Sequence, residues 1–507
     1  MIKKLVAFGI KQAARISTKQ LQKQVENPIE FQQKWFSRLI KIGKQTLFGK
    51  EHNFEAIKDY NSFIQHVPLC RYEDLLPYIN KIKEGKPDVL WKGLPAYFAK
   101  TSGTTAGAKY IPLTMEQLKL QIKAARQALF NYVAQTGDAQ LFNGKMLFLS
   151  GSPDVEKVGK IYAGRLSGIV HRHIPKWALR NRLPSYEINR IADWNKKVDA
   201  IIDEVLHVAQ QLTLISGIPP WIQMFLERIV ERTGKMPFQL FPNLRVYVHG
   251  GVQFAPYECI LRELLGENVV FIETFPASEG FFAFQDALDD PQKGLILLPD
   301  SGIFYEFIPF EEIDNENPRR LTLGEVEKGK VYEMVLTTNA GLWAYRLGDL
   351  VRFTSVNPYR IRVVGRTSQY ISAFGEHVII EEIENALNEA LKKVGGKVRD
   401  FHVAPQVTPP DNTRPYHEWF IEFIQMPKNM QLFIEQLDKA LQKQNPYYKD
   451  LRDGLILDLP RVRILPERAF HAYLESIGKL GGQFKVPRVS NDRKHADSLS
   501  KYTLEKQ

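Results

Sequence analysis

Residues 244–280, LRVYVHGGVQFAPYECILRELLGENVVFIETFPASEG, decide the fold. Two short apolar runs, Leu244–His249 and Val269–Thr274, have the length and the β-branched and aromatic content of buried strands. The segment between them reads as a helix. Strand, helix and strand in that order predict α/β architecture with a largely parallel sheet. In such sheets ligands bind beyond the carboxyl ends of the strands. The second run ends there, in a turn carrying Ser278 and Glu279.

The pattern holds on both sides. Upstream, Thr114 followed by Gln117 is a capping-box signature. Leu118, Ile122, Ala125, Leu129 and Val133 then trace an apolar helical stripe to about Gln135. Lys145–Ser150 reads as a buried strand, and a mostly helical stretch runs from Pro184 to Arg232, stopped by Gly234. Downstream, from Leu295 to Val364, strands and turns predict a mainly antiparallel section. Helices return after Gly365-Arg366: IIEEIENALNEALKKVGG, Gln431–Gln444 and Arg468–Ile477, with strands VRDFHVAPQV and HEWFIEFIQ between the first two. The expected domains are 1–365, large and α/β with helices flanking β-sheets, and 366–507, small and α+β.

Composition narrows the class. Hydrophobic residues make up 44% and charged residues 25%, which excludes disordered and collagen-like chains. No stretch is apolar enough to span a membrane, and the two cysteines, Cys70 and Cys259, fit a reducing cytoplasm. The net charge of +11 sits at the ends: residues 1–25 hold six Lys or Arg and no acid, while 26–484 carry only +2. A nearly neutral body argues against a nucleic-acid groove. The basic start, MIKKLVAFGIKQAARISTKQLQKQ, lacks the apolar core and cleavage site of an export signal. Ile2, Leu5, Val6, Ile10, Ala13 and Ala14 fall near helical spacing, so it reads as an amphipathic helix laid on the main domain. Contact with a membrane surface is a second use of such a helix.

Four segments carry candidate chemistry. Lys100-Thr-Ser-Gly-Thr-Thr-Ala-Gly-Ala-Lys109 lies after a short apolar segment and before a helix. Its small residues free backbone N–H groups to approach an anion, and its hydroxyls add donors. Gly103 to Gly107 is one residue short of a Walker A loop, and Lys109 is displaced. Beside a triphosphate, Glu279 would suit Mg²⁺, which takes one or two carboxylates plus phosphate oxygens; alone, it would simply be solvated. Asp349 follows Gly348 at an expected tight reversal between two strands, where a carboxylate accepts both ribose hydroxyls, or where an ordinary hairpin turns. Lys485, in Gly478-Lys-Leu-Gly-Gly-Gln-Phe-Lys-Val-Pro-Arg488, stands on a glycine-flanked loop able to reach a developing charge, or belongs to a basic tail.

In order and spacing this set resembles the Gretchen Hagen (auxin-responsive promoter) family of acyl acid amido synthetases, within the firefly-luciferase-like adenylate-forming superfamily. TSGTTAG, HGGVQFAPY, ASEG, NAGLWAYRLGDLVRFT and QFKVPR carry the likeness across most of the chain. The resemblance implies an ATP- and Mg²⁺-dependent ligase that activates a carboxylic acid as acyl-AMP and passes it to the amine of an amino acid, with a C-terminal domain that swivels. It places Ser102, Gly103, Thr104, Thr105, Gly107, Gly251, Val252, Phe275, Ser278, Asp349 and Arg366 at ATP, Glu279 at Mg²⁺, and Lys485 and Glu279 in catalysis. The acid would lie near Arg165–Trp177 and Ser216–Phe225, with His171 and His173 read as structural. Phe275 stands where the superfamily usually has a tyrosine, Pro276 at a small-residue position, Gln369 at the hinge aspartate and His377 near a common lysine. An acyl-CoA ligase and a non-catalytic nucleotide-binding protein remain as alternatives.

Overall fold

The computed structural model describes residues 2–101, 109–150, 153–174, 179–191, 193–251, 254–367, 370–374, 376, 378–411, 413–478 and 485–504. The chain divides into two compact units. The first comprises Met1–Leu347 and Val351–Arg362, the second Gly348–Leu350 and Val363–Gln507. The division thus falls three residues before the expected boundary, and a short excursion at Gly348–Leu350 joins the second unit.

The early strands are β1 (Tyr97–Thr101), β2 (Lys109–Leu113), β3 (Lys145–Phe148), β4 (Val155–Val158), β5 (Ile161–Gly164) and β6 (Arg182–Leu183). Next come β7 (Leu212–Ser216), β8 (Val246–Gly250), β9 (Val270–Pro276), β10 (Phe281–Phe284) and β11 (Leu295–Leu297). The antiparallel section holds β12 (Ile303–Pro309), β13 (Leu321–Thr322), β14 (Val331–Thr338), β15 (Tyr345–Val356) and β16 (Tyr359–Arg366). A small sheet has the order β2-β1-β5-β4, and a twelve-stranded sheet the order β13-β12-β14-β15-β16-β11-β10-β9-β8-β7-β3-β6. Within the latter β3, β6, β7, β8 and β9 pair parallel, while β9, β10 and β11 pair antiparallel, as do β12 and β14. The sheet is therefore mixed, and only its βαβ portion is parallel.

Two expectations change. The stretch 184–232 is not one helical run, because Leu212–Ser216 forms β7 between helices Trp194–His207 and Pro219–Thr233. A five-residue apolar strand between helices has too short a period to announce itself. Second, Tyr345–Val356 is a single strand with no reversal at Asp349. Gly348, at φ +82°, takes up a local kink without ending it.

Helices cover the parallel portion. Ile201, Ile202, Phe225, Ile229 and Leu261 bury against Leu147, Ile215, Tyr247 and Phe271 of the strands. Helix Met115–Thr136 starts at the expected cap, with Thr114 Oγ1 accepting from Gln117 N, and ends at Gly137, φ +71°. Its buried face is rotated from the expected stripe: Ala125 is exposed, whereas Gln117, Gln121, Gln127 and Asn131 are buried. Three of these amides reach fixed carbonyls, Gln117 to Glu279 O, Gln127 to Ser17 O and Asn131 to Asp286 O. A polar row can face inward when partners await it. The N-terminal helix Ile2–Glu26 packs Ala14 inward as expected, and Leu21 with it, but Val6 is 49% exposed.

The second unit has β17 (Tyr370–Ile371) paired with β18 (Val378–Ile379), and a sheet of β19 (Lys397–Gln406), β20 (Tyr416–Gln425) and β21 (Arg461–Leu465) in that order. Helices Ile380–Val394 and Met430–Gln444 close over it, burying Ile383, Leu387, Phe433 and Leu437 with Trp419 and Ile421. Among the described residues no helix is long and apolar enough to cross a membrane.

Candidate active site

The parallel strands all end on one edge. Phe148 pairs with Ser216, Ser216 with Val248, and Gly250 with Thr274. Beyond these ends lie Gly217, Gly250-Gly251 and the turn after β9. Steric fit explains the paired glycines. A Cβ on Gly250 would stand 2.1 Å from Thr274 O, and Gly251 has φ +76°. Thr274 Oγ1 donates to His249 O at 2.9 Å and locks the corner. His249 itself packs: its ring stacks on Phe254 at 4.0 Å, and burial, with Arg262 adding, pushes its pKa down to about 3.

Glu279 lies at the tip of the β9–β10 hairpin. Ala277 N donates to Gly280 O at 2.7 Å, and Gly280 N to Ala277 O at 3.3 Å. Gln117 Nε2 donates to Glu279 O at 3.1 Å. The Gln117 side chain thus does not return to Thr114 N, as a full capping box would have it, but pins the turn. Ser278 and Glu279 are half-buried. Phe275 is buried at 7% exposure, with its ring edge-to-face on Phe282 at 4.9 Å, so that ring serves the core. Thr114 Oγ1 also donates to Asn339 O at 3.1 Å, which brings the end of β14 to the same place. Both side-chain polar atoms of Asn339, with Gln117 Oε1 and Gln121 Nε2, are buried without partners among the described residues. Such atoms call for water or a polar ligand.

Strands β1 and β2 pair antiparallel from Tyr97–Leu113 to Thr101–Lys109, and the candidate anion loop joins them. That loop therefore leads into a strand, and the helix begins only at Met115. Its anion affinity would come from its own N–H groups and hydroxyls, with no helix dipole behind them. Ser102, Gly103, Thr104, Thr105 and Gly107 lie outside the described residues, as do Val252, Gln369 and His377.

The region expected to hold the acid is cationic. Arg165 follows β5 beside Lys100 of β1, and burial lowers its pKa. Lys197, 3% exposed, donates to Asn189 O at 2.8 Å and Ser150 O at 3.1 Å. Burial first, then Arg165, push it down to about 8 against Asp154. Arg182 lies over the Phe148 ring at 4.2 Å and is pushed down by burial to about 10. His173 Nε2 sits 3.1 Å from Tyr97 Oη, a structural contact, while His171 Nδ1 is buried without a partner among the described residues. Sequence reading passed over half-buried Glu273, a lone acid in an apolar strand, whose carboxyl is pushed up to about 7. Burial is the main cause; Glu258 adds to it and Arg362 opposes it.

In the second unit Asp349 is 3% exposed and its Oδ1 lies 2.6 Å from Arg366 Nε. Burial raises its pKa, and Arg366 holds the rise in check. Thr367 N donates to Gly348 O at 2.8 Å and fixes the kink beneath. Lys485 immediately precedes an anchored segment. Arg488 pairs with Glu384 at 2.7 Å and Asp400 at 3.1 Å, and Val403 N donates to Arg488 O at 2.8 Å. Lys485 is exposed, yet lost hydration against neighbouring protein, then Arg488, push its pKa down against Asp400. Water reaching the side chain weakens that push.

A groove of about 640 Å³ lined by Phe36, Ile40, Tyr60 and Phe304 contains none of these residues. The strand-end geometry, where the unpartnered polar atoms gather, locates the candidate site instead.

Three family models match in sequence along the chain: the GH3 family N-terminal domain over residues 17–159, the central domain over 295–366 and the C-terminal domain over 381–494. The chain belongs to the GH3 family. Similar proteins include jasmonoyl–L-amino acid synthetase JAR4 of Nicotiana attenuata, 25% identical over 90% of both chains. Indole-3-acetic acid-amido synthetase GH3.3 of Arabidopsis thaliana is 22% identical over 90% of this chain and 88% of its own. The solved AtGH3.15 acyl acid amido synthetase in complex with 2,4-DB superposes with a TM-score of 0.80 at 17% identity, covering 98% of this chain and 97% of that one. At that identity the likeness shows a shared fold.

Within this GH3 chain, the NAGLWAYRLGDLVRFT segment also does structural work. Trp343 is fully buried and donates to Leu90 O at 3.0 Å, and Arg346 pairs with buried Glu333 and donates to Ile313 O at 2.8 Å.

Proposed function

We propose that this GH3 protein is an ATP-dependent acyl acid amido synthetase acting on a small carboxylic acid and the amine of an amino acid. The observation that carries the reading is the GH3 match in three successive segments, with amido synthetases among the relatives aligned over nine-tenths of the chain.

A carboxylate is a poor acyl donor because its leaving group is poor. Attack of the acid's oxygen on the α-phosphate of ATP forms a C–O–P linkage and expels pyrophosphate. The amine nitrogen then attacks the acyl carbon; the C–N bond forms, AMP leaves with the C–O bonding pair, and the ammonium proton passes to solvent. Ser102, Thr104 and Thr105, with Gly103 and Gly107, would hold the phosphates. Gly251 and Val252, with the main chain of Phe275 and Ser278, would border the nucleotide. Buried Asp349 offers its carboxylate to the ribose, with Arg366 orienting it. Lys485 would neutralise charge developing between carboxylate and α-phosphate, and Arg165 and Lys197 would draw the acid in.

Among the described residues no three His, Cys, Asp or Glu side chains gather to hold a metal. Mg²⁺ would enter with ATP, with Glu279 as its protein ligand, and would supply charge neutralisation on the phosphates. The second unit would swivel between the two half-reactions. Free Cys70 and Cys259 fit a cytoplasmic setting.

The test is pyrophosphate release with ATP and Mg²⁺ over aryl, indolyl and fatty acids, with and without pooled amino acids. Acid-dependent release ending in an amide supports the reading. Completion only by coenzyme A would make the protein an acyl-CoA ligase, and ATP binding without release across the panel would make it a non-catalytic nucleotide binder.

A further inference from the structure

The N-terminal helix Ile2–Glu26 presents a second face that the enzyme chemistry does not use. Its inward side is spent on the body: Ala14 is fully buried, Leu21 is 6% exposed, and Ala7 and Ile10 pack beside Tyr132 and Leu141. In a row that winds from the flank of that side round to the opposite one, Lys11, Arg15, Lys19 and Lys23 follow one another at four-residue intervals, all exposed. None of them is in an ion pair among the described residues. Lys23 only feels Glu30, which is itself paired with Lys34, and Glu26 accepts from Gln22. Like charges four apart on a helix repel, so this row costs the free protein stability.

Two large apolar side chains stand in the same row of cations. Phe8 is 62% exposed and Ile16 59%. Eight residues apart, they lie about 12 Å from each other along the helix axis and within a quarter turn around it. Arg15 and Lys19 flank Ile16. A helix that buries one stripe and shows solvent both cations and isolated hydrophobes fits the interface of a bilayer, where the cations meet anionic headgroups and the hydrophobes enter the acyl boundary. Nucleic acid would engage chiefly the cations, through its phosphates, so its binding would depend little on Phe8 and Ile16.

We propose that this face docks the protein on anionic membrane surfaces, with Lys11, Arg15, Lys19 and Lys23 contacting headgroups and Phe8 and Ile16 inserted. The experiment is co-sedimentation of the full chain with phosphatidylcholine vesicles, with and without phosphatidylserine, across a salt series. Duplex DNA and RNA are tested in parallel. Binding is expected only where phosphatidylserine is present, falling as salt rises. Replacing the four cations by Gln should weaken it ~100-fold or more, at about fivefold per cation. Phe8→Ser with Ile16→Ser should weaken it ~10-fold or more, and both variants should melt like the parent because the side chains are exposed. Absence of vesicle binding at low salt would overturn the proposal, as would vesicle binding indifferent to either variant. Tighter binding to nucleic acid that ignores the Phe8 and Ile16 changes would overturn it too.

Discussion

Gln117→Leu separates a structural from a catalytic role for the helix that backs Glu279. The substitution keeps nearly the same volume and removes two polar atoms with opposite accounts. Nε2 donates to Glu279 O at 3.1 Å, so its loss strips a turn carbonyl of a donor, a cost of about 1–3 kcal/mol. Oε1 is buried without a partner among the described residues, and removing it returns a desolvation cost of about the same size. Net stability should therefore change by about 1 kcal/mol or less. The turn is different. The mutual Ala277–Gly280 bonds close the turn on itself but do not tie it to the helix, as the Gln117 bond does. A carboxylate displaced by a fraction of an ångström to an ångström from its working position loses about 10- to 100-fold in rate. The assay is acid-dependent ATP–pyrophosphate exchange across a Mg²⁺ series, beside a denaturant melt. The expected result is a fall in kcat with a higher Mg²⁺ requirement and an almost unchanged melt. A variant that exchanges normally but loses several kcal/mol would refute the reasoning and make Gln117 a core residue only.

Other expectations follow from particular contacts. Lys485→Ala should lower acyl-AMP formation by about 10²–10³-fold while ATP binding stays within a few-fold; unimpaired adenylate formation in single-turnover assays removes Lys485 from the chemistry. Gly250→Ala should destabilise by about 3 kcal/mol or more, because the new Cβ would meet Thr274 O at 2.1 Å, and a normal melt would contradict that geometry. Glu273 has its carboxyl raised from 4.5 to about 7, so between those values the folded state holds the extra proton and stability falls as pH rises. Glu273→Gln should flatten that decline in melts taken across pH 4.5–7, and an unchanged slope would show that the carboxyl does not titrate there.

The βαβ segment, the glycine stops and the motif order were legible because each depends on near neighbours in sequence. Gly234 and Gly395 end helices with positive φ, as short-range chemistry requires. Residues 244–280 carry strand and helix periods that no distant contact needs to confirm. The errors were of another kind. The apolar stripe traced along this helix left out the inward row Gln117, Gln121, Gln127 and Asn131, because the carbonyls of Glu279, Ser17 and Asp286 that satisfy three of those amides lie far away in sequence. Asp349 was read into a turn because Gly-Asp favours one locally, whereas the long sheet keeps β15 extended through it.

The sequence alone therefore determined the class of fold and the family, both written in local periodicity and in motif order. Only the tertiary structure decided that Gln117 pins the Glu279 turn, that Arg366 is held by Asp349, that the candidate anion loop springs from a hairpin, and that Phe8 and Ile16 face solvent among cations. The physical reason is that desolvation and hydrogen-bond geometry are properties of atoms brought together from distant parts of the chain, and a local window does not contain the partner.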